Sequence, residues 1–421
     1  MAEKKLTTIE KALALNFDPL KYGTIVEIGA GQEVSRWFFQ AGGAAGSIAK
    51  TMSAYDMDVS DEIYGITSDK RYVSRGRLER MLERELDLNI SRLADRRSPD
   101  SQFFSFANTV AAQGFKKRDE CHGWVGVRLQ LSPKAEPDEI ILHVRMLDDI
   151  PLNQQEALGI LGVNLIYGAY VLHETPEQLL SGLMDGLRWG RVEIDLVEFR
   201  GPTFSAIDNR LMALQLVKES LTRAVLFDPD GHVVIPADTL YKKSVLGMRG
   251  AFSPVSETDL KRFAHAKAKF LKQPNVKEED TVYIAEMTMS DIVNDEEIDT
   301  ADFLNRVDKL STQGFHVLIS EFFRYFRVRQ YLARYNRAPV GIITDVKGLA
   351  KIIDEKYYDG LAGGMLEGLG QLFIPDTTFY VYPNSDDGKP VELDALPIDE
   401  HLRPLVTFLQ ERGFVIPIED F

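Results

Sequence analysis

Residues 244–272 read SVLGMRGAFSPVSETDLKRFAHAKAKFLK, and this stretch decides how the second half of the chain is interpreted. It begins as a short apolar strand at 244–248 and turns through Gly250 and Pro254. From about Ser256 its apolar residues recur at helical spacing, which predicts an amphipathic helix. A strand that passes through a glycine-containing turn into a helix opens many nucleotide-binding α/β domains. We therefore expect such a domain to begin here.

The same alternation of strand and helix continues to the end of the chain. The periodicity predicts strands at 281–289, 315–320, 340–344 and 378–382 and helices at 256–272, 300–312, 321–335, 346–357 and 361–372. Strands separated by single helices pair in parallel through right-handed crossovers. At 421 residues the chain also exceeds the size of one hydrophobic core. We predict a Rossmann-like α/β domain at 237–421, preceded by a mixed α+β domain at 1–236.

Composition excludes several classes of protein. The formal net charge of −15 argues against nonspecific binding to nucleic acid or to anionic membranes, because both need clustered Lys and Arg. The single cysteine, Cys121, excludes an intramolecular disulfide and fits a reducing compartment. The sequence contains no apolar run of the roughly 20 residues that a membrane helix needs. We therefore expect a cytoplasmic location.

A second glycine-containing turn lies near the N-terminus. Thr24–Ile28 is predicted as a strand, Gly29 and Gly31 as a turn, and 33–40 as a helix. Methyltransferases open their S-adenosylmethionine site in this way, with an acidic residue, here Asp56, placed to bind the ribose. The favoured interpretation is a tight turn beside a glycine-lined packing surface.

Two helices are candidates for docking a partner or a second copy of the chain. Residues 77–93 carry a regular apolar stripe, and residues 321–337 interleave aromatic residues with five arginines. Both patterns are also typical of helices that pack on their own core. The arginine-rich helix is the one basic patch in an acidic chain, so phosphate groups are a third candidate partner.

Several acidic residues and the Cys121–His122 pair carry weaker signals. Glu193 and Asp195 fall on one face of a predicted strand, which suits Mg²⁺ or, as we favour, a solvated face. Asp291 and Asp295 follow the strand at 281–289, at the edge of the sheet where ligands bind. Cys121 and His122 are adjacent on an extended chain and should point to opposite sides, so neither activates the other.

The turn at 250–254, GAFSP, resembles the Gly-x-Phe-x-Pro signature of the nicotinate and nicotinamide mononucleotide adenylyltransferases. The resemblance implies a nucleotidyltransferase-type scaffold in which Ser256 and Asp259 occupy the two phosphate-binding positions. A carboxylate is electrostatically unfavourable beside a phosphate. The resemblance therefore implies the scaffold without the reaction.

Longer segments resemble an uncharacterised set of bacterial and plastid proteins labelled TonB-dependent receptor or nicotinate-nucleotide adenylyltransferase. These segments are VEIGAGQE at 26–33, SAYDM at 53–57, CHGW at 121–124, QEALGILGVNL at 155–165 and EKYYDGLAGGMLEGLGQLF at 355–373. An outer-membrane barrel needs many amphipathic strands of about ten residues. The helical periodicity of this chain contradicts the receptor label.

From the sequence we therefore favour a cytosolic structural or interaction protein that self-associates through 77–93 or 321–337. The alternative is a nucleotide-dependent enzyme that binds ATP or nicotinamide mononucleotide with Lys243, Arg249, Gly250 and Ser256. A methyltransferase that binds S-adenosylmethionine near Gly29, Gly31 and Asp56 is the other form of this alternative. The sequence assigns no catalytic set and no metal ligands.

Overall fold

The computed structural model describes residues 5–67, 70–113, 121–294, 297–386, 389–391, 393 and 396–418. The chain divides into two compact units, Met1–Thr222 and Arg223–Phe421. The sequence places a boundary near residue 236, whereas residues 224–227 and 233–234 pair within the sheet of the second unit. Within the described ranges, no helix combines the length and the apolar character needed to cross a bilayer.

The first unit is built on a mixed six-stranded sheet of order β2-β1-β3-β4-β5-β6. Strands β1, β2 and β3 pair in parallel, and β3 to β6 pair antiparallel. The strands are β1 (Lys21–Ile28), β2 (Ile48–Met52), β3 (Gln102–Val110), β4 (His122–Leu129), β5 (Asp138–Met146) and β6 (Val192–Arg200). The helices are α1 (Thr8–Asn16), α2 (Glu33–Ala41), α3 (Met57–Tyr64), α4 (Arg75–Leu93), α5 (Pro151–Val171), α6 (Pro176–Gly182) and α7 (Asn209–Lys218).

Helix α5 is the centre of the core of the first unit because it is apolar nearly all round. It packs against β4 and β5 and against α1 and α2. Gly162 allows the close approach to α2, since a Cβ atom there would lie 2.4 Å from Cγ2 of Val34. The apolar stripe of α4 is also internal. Its residues Leu78, Met81, Leu82 and Leu86 are fully buried, and the helix packs against β3 and β4.

The second unit is built on a mixed eight-stranded sheet. Its strands, including two small hairpins, are β7 (Ala224–Phe227), β8 (Val233–Val234), β9 (Ser244–Arg249), β10 (Thr281–Thr288), β11 (Val293–Asn294), β12 (Glu297–Ile298), β13 (His316–Ser320), β14 (Val340–Asp345), β15 (Thr377–Tyr382), β16 (Asn384–Asp386), β17 (Lys389–Val391) and β18 (Val415–Pro417). Its helices are α8 (Pro236–Thr239), α9 (Glu257–Phe270), α10 (Met289–Ile292), α11 (Thr300–Ser311), α12 (Tyr325–Tyr335), α13 (Val346–Ile353), α14 (Gly364–Leu372) and α15 (Arg403–Glu411).

The order of the large sheet is β18-β15-β14-β9-β10-β13-β7-β8. The six strands from β18 to β13 pair in parallel, and β7 and β8 close one edge antiparallel. The parallel part of the sheet begins at β9, gains β10 and β13 on one side of it, and then gains β14, β15 and β18 on the other side. The predicted α/β alternation is therefore confirmed. The reversal between β9 and β14 separates the loops that leave these two neighbouring strands and opens a crevice at their carboxyl ends.

Candidate functional site

A cavity of about 480 Å³ lies at the carboxyl ends of the parallel strands of the second unit. Arg249 ends β9, Thr288 ends β10, Asp345 ends β14 and Tyr382 ends β15, and all four residues line the cavity. The remaining lining residues come from β14 itself, from the loops and helices that follow these strands, and from the start of α12 with the segment that leads into it. They are Gly250, Ser290, Asp291, Phe323, Arg324, Tyr325, Phe326, Thr344, Lys347, Gly348, Lys351, Ile352, Tyr357 and Tyr358.

The lining is cationic overall, with four basic and two acidic side chains. Both carboxylates cap helices. Oδ1 of Asp345 accepts from the amide of Gly348 at 2.5 Å, and Oδ2 of Asp291 accepts from the amide of Thr288 at 2.9 Å. Within the described part of the chain, Arg324 and Lys351 form no ion pair. The cavity therefore keeps an excess of positive charge.

Arg249 is held in place by the neighbouring strand. Its Nη2 and Nε donate to the two carboxylate oxygens of Glu286 at 2.7 and 3.0 Å, and the hydroxyl of Ser320 donates to the same carboxylate at 2.7 Å. Burial alone would lower the pKa of Arg249, but the adjacent Glu286 carboxylate outweighs it and raises the pKa. The guanidinium also lies 4.5 Å from the ring centre of Tyr325. Arg249 is thus a fixed, fully charged wall of the cavity.

Aromatic rings form much of the remaining wall. Phe323 is 68% exposed, and its ring centre lies 6.1 Å from that of Tyr357. Tyr382 sits deeper, where burial and the nearby Asp345 raise the pKa of its phenol to about 12. The phenol therefore stays protonated at neutral pH and can donate a hydrogen bond. Flat apolar faces beside cations suit a ligand with both a ring and an anionic group.

Of the residues singled out in the sequence near 244–259, Arg249 and Gly250 line the cavity. Lys243 immediately precedes β9 and so lies at the end of the strand opposite Arg249, roughly 20 Å from the cavity for a strand of this length. Its Nζ forms an ion pair with Asp280 at 2.7 Å. Ser256 and Asp259 form a capping box at the start of α9, in which the serine hydroxyl accepts from the Asp259 amide at 3.1 Å. The carboxylate of Asp259 is therefore turned back onto its own helix.

The N-terminal candidates belong to the first unit. Gly29 and Gly31 have φ of +96° and +87°, and the amide of Gly31 donates to the hydroxyl of Tyr55 at 3.0 Å. The carboxylate of Asp56 accepts from the Val59 amide at 3.0 Å and caps α3. These three residues are not among those that line the cavity described above. Asp295 lies outside the described residues.

The arginine-rich helix at 321–337 is not one continuous basic surface. Arg324 lines the cavity, whereas Arg329 is buried and donates from Nε to Thr377 at 2.9 Å. Four further lining residues, Lys347, Lys351, Tyr357 and Tyr358, were not predicted from the sequence. The sequence does contain a signal for Lys347: Asp345-Val-Lys347 follows a predicted strand, just as Asp291 follows the predicted strand at 281–289. Both segments are therefore expected at the edge of the sheet where ligands bind.

The expectation of a solvated carboxylate face on β6 is wrong. Glu193 and Asp195 are only 8% and 3% exposed. The reason is that β5 supplies their partners: Arg145 donates to Glu193 at 3.0 Å, and Nδ1 of His143 lies 2.5 Å from Asp195. His122 also contacts His143, whereas Cys121 packs against the apolar core, so the adjacent pair does point to opposite sides.

One cluster in the described residues has ligand atoms spaced closely enough for a metal ion. The atoms of Asp228, Asp230 and His232 all lie within 4.8 Å of one another, in the turn between β7 and β8. The Asp228 carboxylate there accepts from the amides of Asp230 and His232 at 3.0 and 2.8 Å. These hydrogen bonds account for the turn without an ion.

The fold defines an α/β protein with two large mixed sheets. No known family model matches the chain, and no curated protein matches it. Solved structures similar to part of it include the competence/damage inducible protein CihA from Agrobacterium tumefaciens, with 16% identity over 39% of this chain and 97% of the other and a TM-score of 0.29. A CinA superfamily protein from Enterobacter cloacae is 14% identical over a match that covers 40% of this chain and 96% of that protein, with a TM-score of 0.29. A CinA superfamily protein from Escherichia coli is 14% identical over a match that covers 38% of this chain and 90% of that protein, with a TM-score of 0.27.

These comparisons correct the family resemblance drawn from the sequence. The likeness found is to CinA superfamily proteins over about 40% of the chain, not to a TonB-dependent receptor or a nicotinate-nucleotide adenylyltransferase. Short segments such as GAFSP misled because they reflect local turn geometry, which unrelated folds share. At TM-scores below 0.3, the likeness carries nothing about activity.

Proposed function

We propose that the second unit is a Rossmann-like domain that binds a nucleotide-class ligand, meaning an aromatic ring that carries phosphate. The observation that carries the proposal is the position of the cavity. It lies at the carboxyl ends of β9 and β14, the two strands between which the order of the sheet reverses. Open α/β sheets bind their ligands at this topological switch point.

The strand order supports the same proposal. Numbered along the chain, the six parallel strands β9, β10, β13, β14, β15 and β18 have the order 3-2-1-4-5-6 across the sheet. This is the arrangement of two mononucleotide-binding halves around a central crevice. The cavity receives residues from both halves, Arg249 and Thr288 from one and Asp345 and Tyr382 from the other.

The chemistry of the lining indicates which part of the ligand lies where. Because Asp345 caps α13, phosphate is disfavoured at the start of that helix and favoured beside Arg324 and Lys351. The rings of Phe323 and Tyr357 lie at the same cavity and offer a face for a base to stack on. A cavity of about 480 Å³ is large enough for a small organic ligand.

Thermal-shift and calorimetric titrations with ATP, AMP, nicotinamide mononucleotide, S-adenosylmethionine, adenosine and pyrophosphate test the proposal. A ligand at 100 times its dissociation constant stabilises the folded chain by about 2.7 kcal/mol. We expect phosphate-bearing nucleotides to bind more tightly than adenosine or pyrophosphate alone, because only they engage both the cations and the rings.

Variants then locate the site. Lys351→Ala should weaken nucleotide binding about tenfold or more, since a hydrogen bond to a charged group contributes about 1.5–3 kcal/mol. Lys243→Ala is the matched control because it removes a lysine at the opposite end of β9. Equal losses in both variants, or no stabilisation by any nucleotide, would refute the proposal.

A further inference from the structure

Residues 321–324 form a short irregular segment between β13 and α12, and two of its residues line the cavity of the second unit. Phe323 is 68% exposed. Arg324 immediately precedes α12 and, within the described residues, forms no ion pair. Irregular segments open more readily than helices and strands unless neighbouring groups hold their backbone. The groups that hold this segment therefore determine where the ring and the charge stand in the cavity.

Arg249 holds the backbone of this segment. Its Nη1 donates to the carbonyl oxygen of Phe323 at 3.2 Å. Its Nε and Nη2 donate to the two carboxylate oxygens of Glu286 at 3.0 and 2.7 Å. A guanidinium group presents its donors in one rigid plane, so these bonds have fixed relative directions. A single side chain at the end of β9 thus connects β10 to the segment that carries Phe323 and Arg324.

Glu286 holds the beginning of the same segment through the end of β13. The Ser320 hydroxyl donates to Oε1 of Glu286 at 2.7 Å and accepts from the amide of Phe322 at 3.3 Å. Phe322 is itself buried. Glu286 is not among the residues that line the cavity described above. Its influence on the cavity therefore passes through Arg249 and Ser320.

The charge of Arg249 is already matched inside the protein. Its side chain is 12% exposed, its ion pair with Glu286 is 2.7 Å long, and its guanidinium lies 4.5 Å from the ring centre of Tyr325. A phosphate group that took Arg249 as its partner would leave the Glu286 carboxylate buried without one, which is unfavourable. The contacts therefore distinguish Arg249, which supports the cavity wall, from Arg324, which has no ion pair within the described residues.

We propose that Arg249 is a positioning residue of the second unit, which acts on the ligand through the backbone of Phe323 and Arg324 and not by its own charge. The inference rests on the proposed function, a ligand that carries a ring and a phosphate. Such a ligand contacts the Phe323 ring and the Arg324 guanidinium together, so both must stand at the correct spacing. Holding them there in advance removes the cost of ordering them from the binding step.

Two charge-preserving variants separate support from direct contact. Arg249→Lys keeps the positive charge, but an ammonium group cannot pair with both oxygens of Glu286 and reach the Phe323 carbonyl in the same geometry. We expect it to weaken AMP binding about tenfold, because it disturbs both ligand contacts. Arg324→Lys can still bind a phosphate as a point charge, so it should weaken AMP binding by about threefold or less. Isothermal titration calorimetry measures both, and nicotinamide mononucleotide replaces AMP if it binds the parent chain more tightly.

Amide hydrogen exchange of the ligand-free chain tests the support itself. Arg249→Lys should speed exchange of the amides at 321–325 about tenfold, as measured by mass spectrometry. Arg329→Lys is the matched control, because this arginine is also buried but donates to Thr377 at the start of β15. It should leave both the exchange at 321–325 and the affinity for AMP unchanged. If Arg249→Lys does not fold, Glu286→Gln replaces it in both measurements, because it disturbs the carboxylate that holds the guanidinium.

The outcomes distinguish this inference from the proposed function. A parent chain that binds neither AMP nor nicotinamide mononucleotide would overturn both. If the parent chain binds and Arg249→Lys binds as tightly, or if Arg324→Lys loses more affinity than Arg249→Lys, this inference alone is wrong. Unchanged exchange at 321–325 in Arg249→Lys would likewise overturn it and leave the proposed function standing.

Discussion

Arg249 and Glu286 stand opposite each other on the neighbouring parallel strands β9 and β10, joined by two hydrogen bonds of 2.7 and 3.0 Å. Glu286 is 5% exposed, and Arg249 is largely enclosed. Such a pair fixes the geometry of the cavity more than it adds stability, because each charge loses its hydration on burial. Removing only one of the two partners nevertheless destabilises the fold, because the other charge stays buried without a partner.

Glu286→Ala should therefore destabilise the chain by about 3–5 kcal/mol, since it leaves the Arg249 charge buried without a partner. Urea denaturation measures the change. Glu279→Gln, an exposed acid that precedes the same strand, should change stability by no more than about 0.5 kcal/mol. A small effect of Glu286→Ala would mean that Arg249 reaches solvent or another acid.

The capping box of α9 gives a second prediction. Ser256→Ala removes the acceptor for the Asp259 amide and should cost about 1 kcal/mol. Glu257→Gln, in the same first turn but outside the box, should cost less than about 0.5 kcal/mol. Equal losses in both variants would show that general helix electrostatics, not the reciprocal hydrogen bonds, stabilise this end of the helix.

Gly29 carries a steric prediction. A Cβ atom there would lie 2.1 Å from the carbonyl oxygen of Val110, and φ is +96°. Gly42 has a similar φ of +83° but nothing within 4 Å of its Cβ position. Gly42→Ala should cost about 1–3 kcal/mol from backbone strain alone. Gly29→Ala should cost about 1–3 kcal/mol more from overlap. Thermal and urea denaturation of the two variants compare these costs directly.

Glu27 should make the first unit more stable as the pH falls. Burial raises the pKa of this carboxyl group, and hydrogen bonds from the Ser35 and Val34 amides and the side chains of Ser35 and Asn108 offset only part of the effect. The folded state therefore holds the proton more tightly. The contribution of Glu27 to stability is complete below its unfolded pKa and is lost as the pH rises through the raised folded pKa. Denaturation at a series of pH values should show a flatter dependence for Glu27→Gln than for the parent chain.

Asp185 provides the opposite sign in the same unit. Burial alone would raise its pKa, but hydrogen bonds from Lys11 and Lys5 outweigh burial and lower it. Its contribution is therefore present above the unfolded pKa and is lost as the pH falls through the lowered folded pKa. Asp185→Asn should destabilise the chain by about 1–3 kcal/mol at neutral pH, since Lys11 is 4% exposed. The difference from the parent chain should shrink in acid, and a constant difference would contradict the assignment.

Self-association through 77–93 or 321–337 stays a prediction. The stripe that suggested it on α4 is buried in its own unit, and α12 buries Phe326, Tyr331 and Tyr335. A partner would therefore have to use the polar faces of these helices. Light scattering across a range of concentrations measures the oligomeric state directly.

The sequence by itself determined the local elements and their alternation. The periods at 244–382 fixed the strands and helices of the second unit, because side-chain burial repeats with the geometry of each element. The glycine-containing turn after β9 correctly placed Arg249 and Gly250 at the carboxyl edge of the sheet. Asp291 was expected at the same edge because it follows a predicted strand, and it also lines the cavity.

Only the tertiary structure decided which of these residues meet. Strand order brought Lys351 and Tyr382 to the cavity and left Lys243 at the far end of β9, since neighbours in a parallel sheet come from distant parts of the chain. A single bulge turned the side chain of Asp195 toward His143, although the alternation of apolar and acidic residues along β6 predicted a solvent-exposed face. The pairing and register of the strands depend on contacts across the whole unit, and the local periodicity of the sequence does not specify those contacts.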